Sequence, residues 1–212
     1  MVDLAEFSKT VVSLFVIVDP IGNIPLFLNA TERWAMERRI RAARTAALTV
    51  FIVLSLAAGL GEDILALFGI SLASFSVGSG ILLMMLAISM LQARTSLLRQ
   101  TPEEAEEAME KGDALGAVPL GVPLLAGPGA ISSVMVSVHQ HPGWFGLLLI
   151  LVPIALVAVS VWASFVFALP IARRLGQTGI HVVTRLMGLI LAALAVEMVA
   201  RGLIRLFPAL ED

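Results

Sequence analysis

The chain has 212 residues, 58% of them hydrophobic and 14% charged, with no cysteine and a formal net charge of -2; its mean hydropathy is +0.96. A water-soluble domain is about 45–50% apolar and about 25% charged, so this composition excludes one and predicts a polytopic membrane protein. The lack of cysteine excludes disulfides, a thiol nucleophile and cysteine-based metal sites, and neither a metal nor a cofactor is expected.

At about 20 apolar residues per helix, the length accommodates about six spans and short loops. Hydropathy places them near 7–28, 45–61, 64–92, 114–138, 144–170 and 182–207. Continuous apolarity over such lengths predicts helices, since barrel strands would alternate. Asp3 and Glu6 precede Lys9, the first cation, so the basic start of a cleavable signal is missing and the first span is expected to be retained.

The first span contains Val18-Asp19-Pro20-Ile21-Gly22-Asn23-Ile24-Pro25 in an apolar surrounding. A carboxylate at bilayer depth costs about 2.5–3.5 kcal/mol on insertion scales and faces a protein interior or a wet cavity. The prolines remove backbone donors and turn the preceding residues away from helical geometry. Together these residues predict a broken helix lining a site. After the second span, Glu62 and Asp63, beside Gly59 and Gly61, are read as a solvated turn. In the third span, Ser71, Ser74, Ser76 and Ser79, with Gly78 and Gly80, form a small-residue surface suited to close helix packing.

Between 92 and 113, Thr101, Pro102 and Glu104 make a capping-box start for a short acidic linker helix. The fourth span has its own interruption, Val118-Pro119-Leu120-Gly121-Val122-Pro123-Leu124-Leu125-Ala126-Gly127-Pro128-Gly129-Ala130-Ile131-Ser132-Ser133. The fifth opens at Trp144, in keeping with the interfacial aromatic belt, and carries Pro153 as a kink point. In the sixth, Glu197 and Arg201 share a helical face and are expected to pair. His139, His141 and His181 fall near predicted helix ends.

Cations order these spans. Arg33, Arg38, Arg39, Arg41 and Arg44 follow the first, Arg94, Arg99 and Lys111 the third, and Arg173, Arg174 and Arg185 the fifth; only Lys9, Arg201 and Arg205 lie on the other side. The positive-inside bias puts both termini outside the cytoplasm and the loops after spans 1, 3 and 5 within it.

Each break opens a three-span half, and an odd number of spans inverts the second half relative to the first. The expected fold is all-α: six transmembrane helices in one domain, 1–212, as two inverted three-helix repeats with broken first and fourth helices. The first repeat is 1–92, the cytoplasmic linker 93–113 and the second repeat 114–212. Interrupted segments at matching positions of inverted halves point to a transporter's binding site. Free N–H groups at a helix start suit a carboxylate, and free C=O groups at a helix end suit an ammonium or cation. A zwitterionic amino acid presents both charges. The candidate substrate-binding residues are therefore Asp19, Pro20, Gly22, Asn23, Gly127, Pro128, Gly129, Ser132 and Ser133, with Asp19 also a candidate for a coupling ion and Glu197 a weaker one. The glycines favour a small substrate. Kinks and close packing are the plainer reading of the same Pro and Gly residues.

The motifs Asp19-Pro20-Ile21-Gly22-Asn23-Ile24-Pro25 and Pro123-Leu124-Leu125-Ala126-Gly127-Pro128-Gly129-Ala130-Ile131-Ser132 resemble those of the MarC family of bacterial and archaeal inner-membrane proteins. The resemblance covers essentially the full chain. It implies a six-span protein related to small-solute exporters, including lysine exporters, and a substrate class of small neutral amino acids such as glycine and alanine.

The leading expectation is thus a secondary transporter or exporter of small neutral amino acids, H⁺- or Na⁺-coupled, in the inner membrane. No Gly-x-x-x-x-Gly-Lys signature supports direct use of ATP. The expected partners are the amino acid and the lipid bilayer, with no nucleic acid, and a homo-oligomer is compatible with the sequence. An intramembrane enzyme is disfavoured: Gly59-Leu60-Gly61-Glu62-Asp63 and Gly78-Ser79-Gly80 only approximate aspartyl- and serine-protease patterns. A non-transporting membrane regulator and a passive small-solute channel are the remaining alternatives.

Overall fold

The computed structural model describes residues 4–32, 34–92, 125–141 and 143–210. The expected linker helix, the first part of the fourth span (114–124), Arg33 and the Trp144 side chain lie outside the described residues. Seven α-helices are present among them: α1 (Leu4–Val18), α2 (Ile24–Ala30), α3 (Met36–Leu67), α4 (Leu72–Leu91), α5 (Pro128–Gln140), α6 (Trp144–Val166) and α7 (Ala168–Leu206), followed by a 3₁₀ turn at Pro208–Leu210.

Among the described residues, four segments are long and apolar enough to cross a membrane: Met36–Leu67, Leu72–Leu91, Gly146–Val166 and Thr178–Leu206. The 32-residue α3 extends about 48 Å at 1.5 Å per residue, more than a hydrocarbon core of about 30 Å. Its first turns, with Arg38, Arg39, Arg41 and Arg44, therefore have length to spare beyond the apolar stretch. α1 has 15 residues and α5 has 13, each shorter than the about 20 residues that a crossing helix needs.

Apolar side chains are found on both sides of the wall. Leu54, Val50, Ile154, Val157, Leu191 and Ala195 are buried within one core, while Leu48, Ile52, Leu56, Leu60 and Ile64 form an exposed stripe along α3. Leu148, Val152, Leu156 and Val159 do the same on α6. On a soluble protein such patches would mark interfaces; here they supply the surface that lipid covers.

The most extensive pairing is α4 against α7. A Cβ on Gly80 would come within 3.0 Å of the Ala195 carbonyl oxygen, one on Gly188 within 3.1 Å of the Ala87 carbonyl, and one on Gly202 within 3.0 Å of the Ala73 carbonyl. The pairs run in opposite order along the two helices, so α4 and α7 are antiparallel with their backbones nearly touching. Lipid tails are as apolar as the side chains, so association relies on this closeness instead of water exclusion. α3 packs on α6, α1 on α5 and α6, and α5 on α3 and α4. The Phe27 and Phe165 rings stack at 4.3 Å between centroids, holding α2 against α6.

Two boundaries differ from the sequence reading. Glu62 and Asp63 sit inside α3, and the turn comes at Phe68–Ser71, where Gly69 takes φ 67° and Ser71 caps α4 by accepting the Ser74 N–H at 3.1 Å. Gly61 is a packing point: its Cβ position lies 2.8 Å from Met135 on α5. Glu62 is exposed and pairs with exposed His139 at 2.8 Å, joining the ends of α3 and α5. The fifth span's helix ends at Val166 instead of near 170; α7 follows from Ala168 and is interrupted at Gly176, whose φ of 63° no L-residue adopts easily, and its membrane-length segment, Thr178–Leu206, agrees with the expected sixth span. His181 lies in the first turn after this interruption, near a helix end as expected.

The α4–α7 seam predicts different fates for glycines inside and outside it. Gly80→Ala or Gly202→Ala should cost about 1–3 kcal/mol, the usual range for overpacking. Gly78→Ala on the open face of α4 should change stability by less than about 1 kcal/mol. Thermal unfolding in detergent measures this, and equal shifts for the two classes would refute the seam.

Candidate functional site

The break after α1 is built from its own side chains. α1 ends at Val18, and Asp19 adopts φ 48°, the left-handed region that Asp tolerates better than most residues. Its N–H still donates to the Phe15 carbonyl at 2.9 Å, closing the last turn. Pro20 follows and cannot extend the helix. Asn23 caps this end: its Nδ2 donates to Val18 O at 3.2 Å and to Asp19 O at 2.8 Å, and its backbone N–H also donates to Asp19 O at 3.3 Å. In turn, the Gly22 N–H donates to Asp19 Oδ1 at 3.0 Å. α2 then starts at Ile24, with Pro25 in its first turn, where no N–H is needed. Asp19 is 1% exposed and Asn23 fully buried.

Gly22 has a specific job in this arrangement. A Cβ there would overlap the Asp19 carboxylate, so the space it leaves is filled by Asp19 itself. The second break places Gly127 in an extended conformation (φ -68°, ψ 174°) ahead of Pro128, the first residue of α5. Ile131 N–H reaches back to the Gly127 carbonyl at 3.1 Å. Gly129 brings the two breaks onto adjoining surfaces: its Cβ position lies 3.4 Å from Ile17 on α1 and 3.2 Å from Leu83 on α4.

Among the buried polar atoms with no hydrogen-bond partner among the described residues are Asn23 Oδ1 in the first break, Ser132 Oγ on α5 and Ser79 Oγ on α4. Ser79 and Leu83 lie one helical turn apart, as do Gly129 and Ser132–Ser133, so both hydroxyl positions stand one turn from the Leu83–Gly129 contact. Burying such a group without a partner costs about 1–3 kcal/mol, and each instance requires an explanation. A polar solute or trapped water would supply one.

Next to this layer lies a cleft of about 520 Å³, walled by α1, α4, α5 and α7. Ile17, Ser76 and Ser133 line its inner part, and Lys9, Glu197, Arg201 and Arg205 also line it. Arg201 Nε donates to Glu197 Oε1 at 2.6 Å, the ion pair expected from their spacing. Among the described residues, no group of three or more His, Asp or Glu side chains could hold a metal ion.

The structure therefore gathers Asp19, Pro20, Gly22 and Asn23 into one break and places Gly127, Pro128 and Gly129 at the other. Ser132 is buried between helices, Ser133 faces the cleft, and Glu197 lies in the cleft wall away from the breaks. Sequence reasoning treated Ser79 as packing alone and did not assign Lys9 or Arg205 to a site. The signal for those two cations was present, since the cation count set them and Arg201 apart from the other Lys and Arg residues.

The family model for "MarC family integral membrane protein" matches residues 4–207. The chain belongs to the MarC family. Its relatives include the UPF0056 membrane protein YhcE of Escherichia coli, 39% identical over 98% of this chain and 96% of that protein. YvbG of Bacillus subtilis is 37% identical over 94% of each, and a UPF0056 membrane protein of Archaeoglobus fulgidus is 35% identical over 94% and 93%. No solved structure matches this MarC chain.

The Gly22–Asp19 contact yields a double-mutant prediction. Gly22→Ala should cost about 1–3 kcal/mol by driving the carboxylate from its position. In an Asp19→Gly background, which also relieves the left-handed φ, the same change should cost under half as much. Additive losses would show that Gly22 meets something other than Asp19.

Proposed function

We infer that this MarC protein is a secondary transporter of small neutral amino acids of the glycine, alanine and serine class. The observation that carries this reading is the pair of adjoining helix breaks, whose buried Asn23 Oδ1, Ser132 Oγ and Ser79 Oγ have no partner among the described residues. A small solute with hydrogen-bonding groups would satisfy them, and the Asp19 carboxylate offers a place for an ammonium or a coupling cation. The candidate site is Asp19, Pro20, Gly22, Asn23, Gly127, Pro128, Gly129, Ser132 and Ser133, to which the structure adds Ser79. Glu197, held by Arg201, is a poor relay. The substrate class itself comes from the family resemblance.

The packing supports an inverted repeat of 1–92 and 114–212. Elements that such a repeat would make equivalent lie against each other: α1 on α5, α3 on α6 and α4 on α7. The contact of α1 with α6 has its counterpart in α5 with α3. We place the protein in the cell inner membrane, with both termini outside and the odd-numbered loops in the cytoplasm, on the distribution of cations. An enzymatic reading lacks support, because Ser79 Oγ has no hydrogen-bond partner among the described residues that could act as its base.

The structural alternative has one observation in its favour: the spaces at Gly22 and Gly129 are already occupied by protein atoms. Counterflow of labelled alanine in proteoliposomes separates the two. A charge-assisted hydrogen bond of about 1.5–3 kcal/mol corresponds to a loss of roughly ten- to a hundredfold in apparent affinity for Asp19→Asn. Absence of movement for every small amino acid, with and without H⁺ or Na⁺ gradients, would leave the breaks with a structural role only.

A further inference from the structure

The three cations that oppose the positive-inside bias converge on one place. Lys9, Arg201 and Arg205 come from opposite ends of the chain, yet all three line the 520 Å³ cleft between α1, α4, α5 and α7. Arg201 is neutralised by Glu197 at 2.6 Å. Lys9 and Arg205 thus give the described lining an excess of positive charge, on the side of the membrane where basic residues are otherwise missing.

We propose that this cleft is an outward-facing vestibule that recruits solutes through their carboxylate, ahead of the helix breaks. The proposal rests on the transporter reading and names the group by which the substrate enters. The volume lies within the roughly 300–1,000 Å³ of small-molecule sites, which leaves room for an amino acid with hydration water. Positive charge in a concave, low-dielectric wall concentrates anions and raises their encounter rate. Ser133 and Ser76 continue the polar lining inward, and Ile17 closes the end nearest Asp19 by packing on Gly129. A zwitterion would arrive carboxylate first, with its ammonium free for the region of Asp19.

The natural absence of cysteine makes the cleft directly testable with Ser137→Cys, a lining position. Two membrane-impermeant thiol reagents serve as probes on intact cells: 2-sulfonatoethyl and 2-trimethylammonioethyl methanethiosulfonate. Each rate is divided by that for free 2-mercaptoethanol. The expected result is labelling from outside with a normalised preference for the anionic reagent. That preference should fall at least threefold when Lys9→Gln and Arg205→Gln are added, and also at high salt. Alanine should slow labelling while alaninamide, which lacks the carboxylate, should not.

Equal reactivity toward both reagents, or a preference unmoved by the two substitutions, overturns the proposal. So does labelling that occurs only in inverted vesicles. A preference seen in phosphatidylcholine liposomes but abolished by phosphatidylglycerol assigns the cations to lipid headgroups and overturns it as well. Alanine counterflow in the same double variant keeps the two readings apart. Persistent counterflow with unchanged half-saturation sinks the vestibule alone. No counterflow in the unsubstituted protein sinks the transporter reading, and the protection by alanine then decides whether the cleft binds carboxylates.

Discussion

A broken helix within a bilayer has no water to complete its hydrogen bonds, and the rest of this structure depends on how the break after α1 meets that requirement. Asn23 meets it by turning back to cap Val18 and Asp19 with a single amide nitrogen. This fixes the direction in which α2 leaves and orients the other end of the Asn23 amide, Oδ1, without a described partner. The Asp19 carboxylate is held in turn by the Gly22 N–H. The interruption is therefore a folded unit of five residues with a defined shape and not a flexible gap.

Helix packing obeys the same economy of partners. No hydrophobic force between helices operates against lipid, so α4 and α7 rely on glycines that bring main chains to within about the width of a carbonyl contact. That seam is rigid and apolar over most of its length. Toward the end where Glu197 and Arg201 lie, α1 and α5 also face the α4–α7 pair, and the cleft lies among these four helices.

The sequence made the breaks legible because Asp19, Pro20 and Pro25 violate both the hydropathy and the backbone rules of a simple span. It made the α4 packing face legible through its small residues, and the Glu197–Arg201 pair through helical spacing. Two features were hidden for physical reasons. Gly59 and Gly61 read as turn residues beside Glu62 and Asp63, but tertiary packing against Met135 turns Gly61 into a contact point and the helix runs on to Leu67. Asn23 read as a substrate-binding candidate, and the further role of its amide nitrogen, capping the backbone at Val18 and Asp19, depends on the left-handed φ of Asp19. Local composition records neither a neighbour from another helix nor the sign of a dihedral angle.

Ile17 links the cleft to the break in a way that limits how the site can work. It precedes Asp19 by two residues on the same segment and packs on Gly129, the residue that admits α5 to this junction. Any displacement of α1 that withdraws Ile17 from Gly129 must be transmitted to Val18 and Asp19, the two carbonyls that Asn23 caps. On the transporter reading proposed above, opening the cleft would strain the hydrogen bonds that hold the central break. Access and site geometry are thereby coupled by about one helical turn of chain, and a solute that fills the empty acceptors of Ser79, Ser132 and Asn23 would compensate for that strain at the point where it arises.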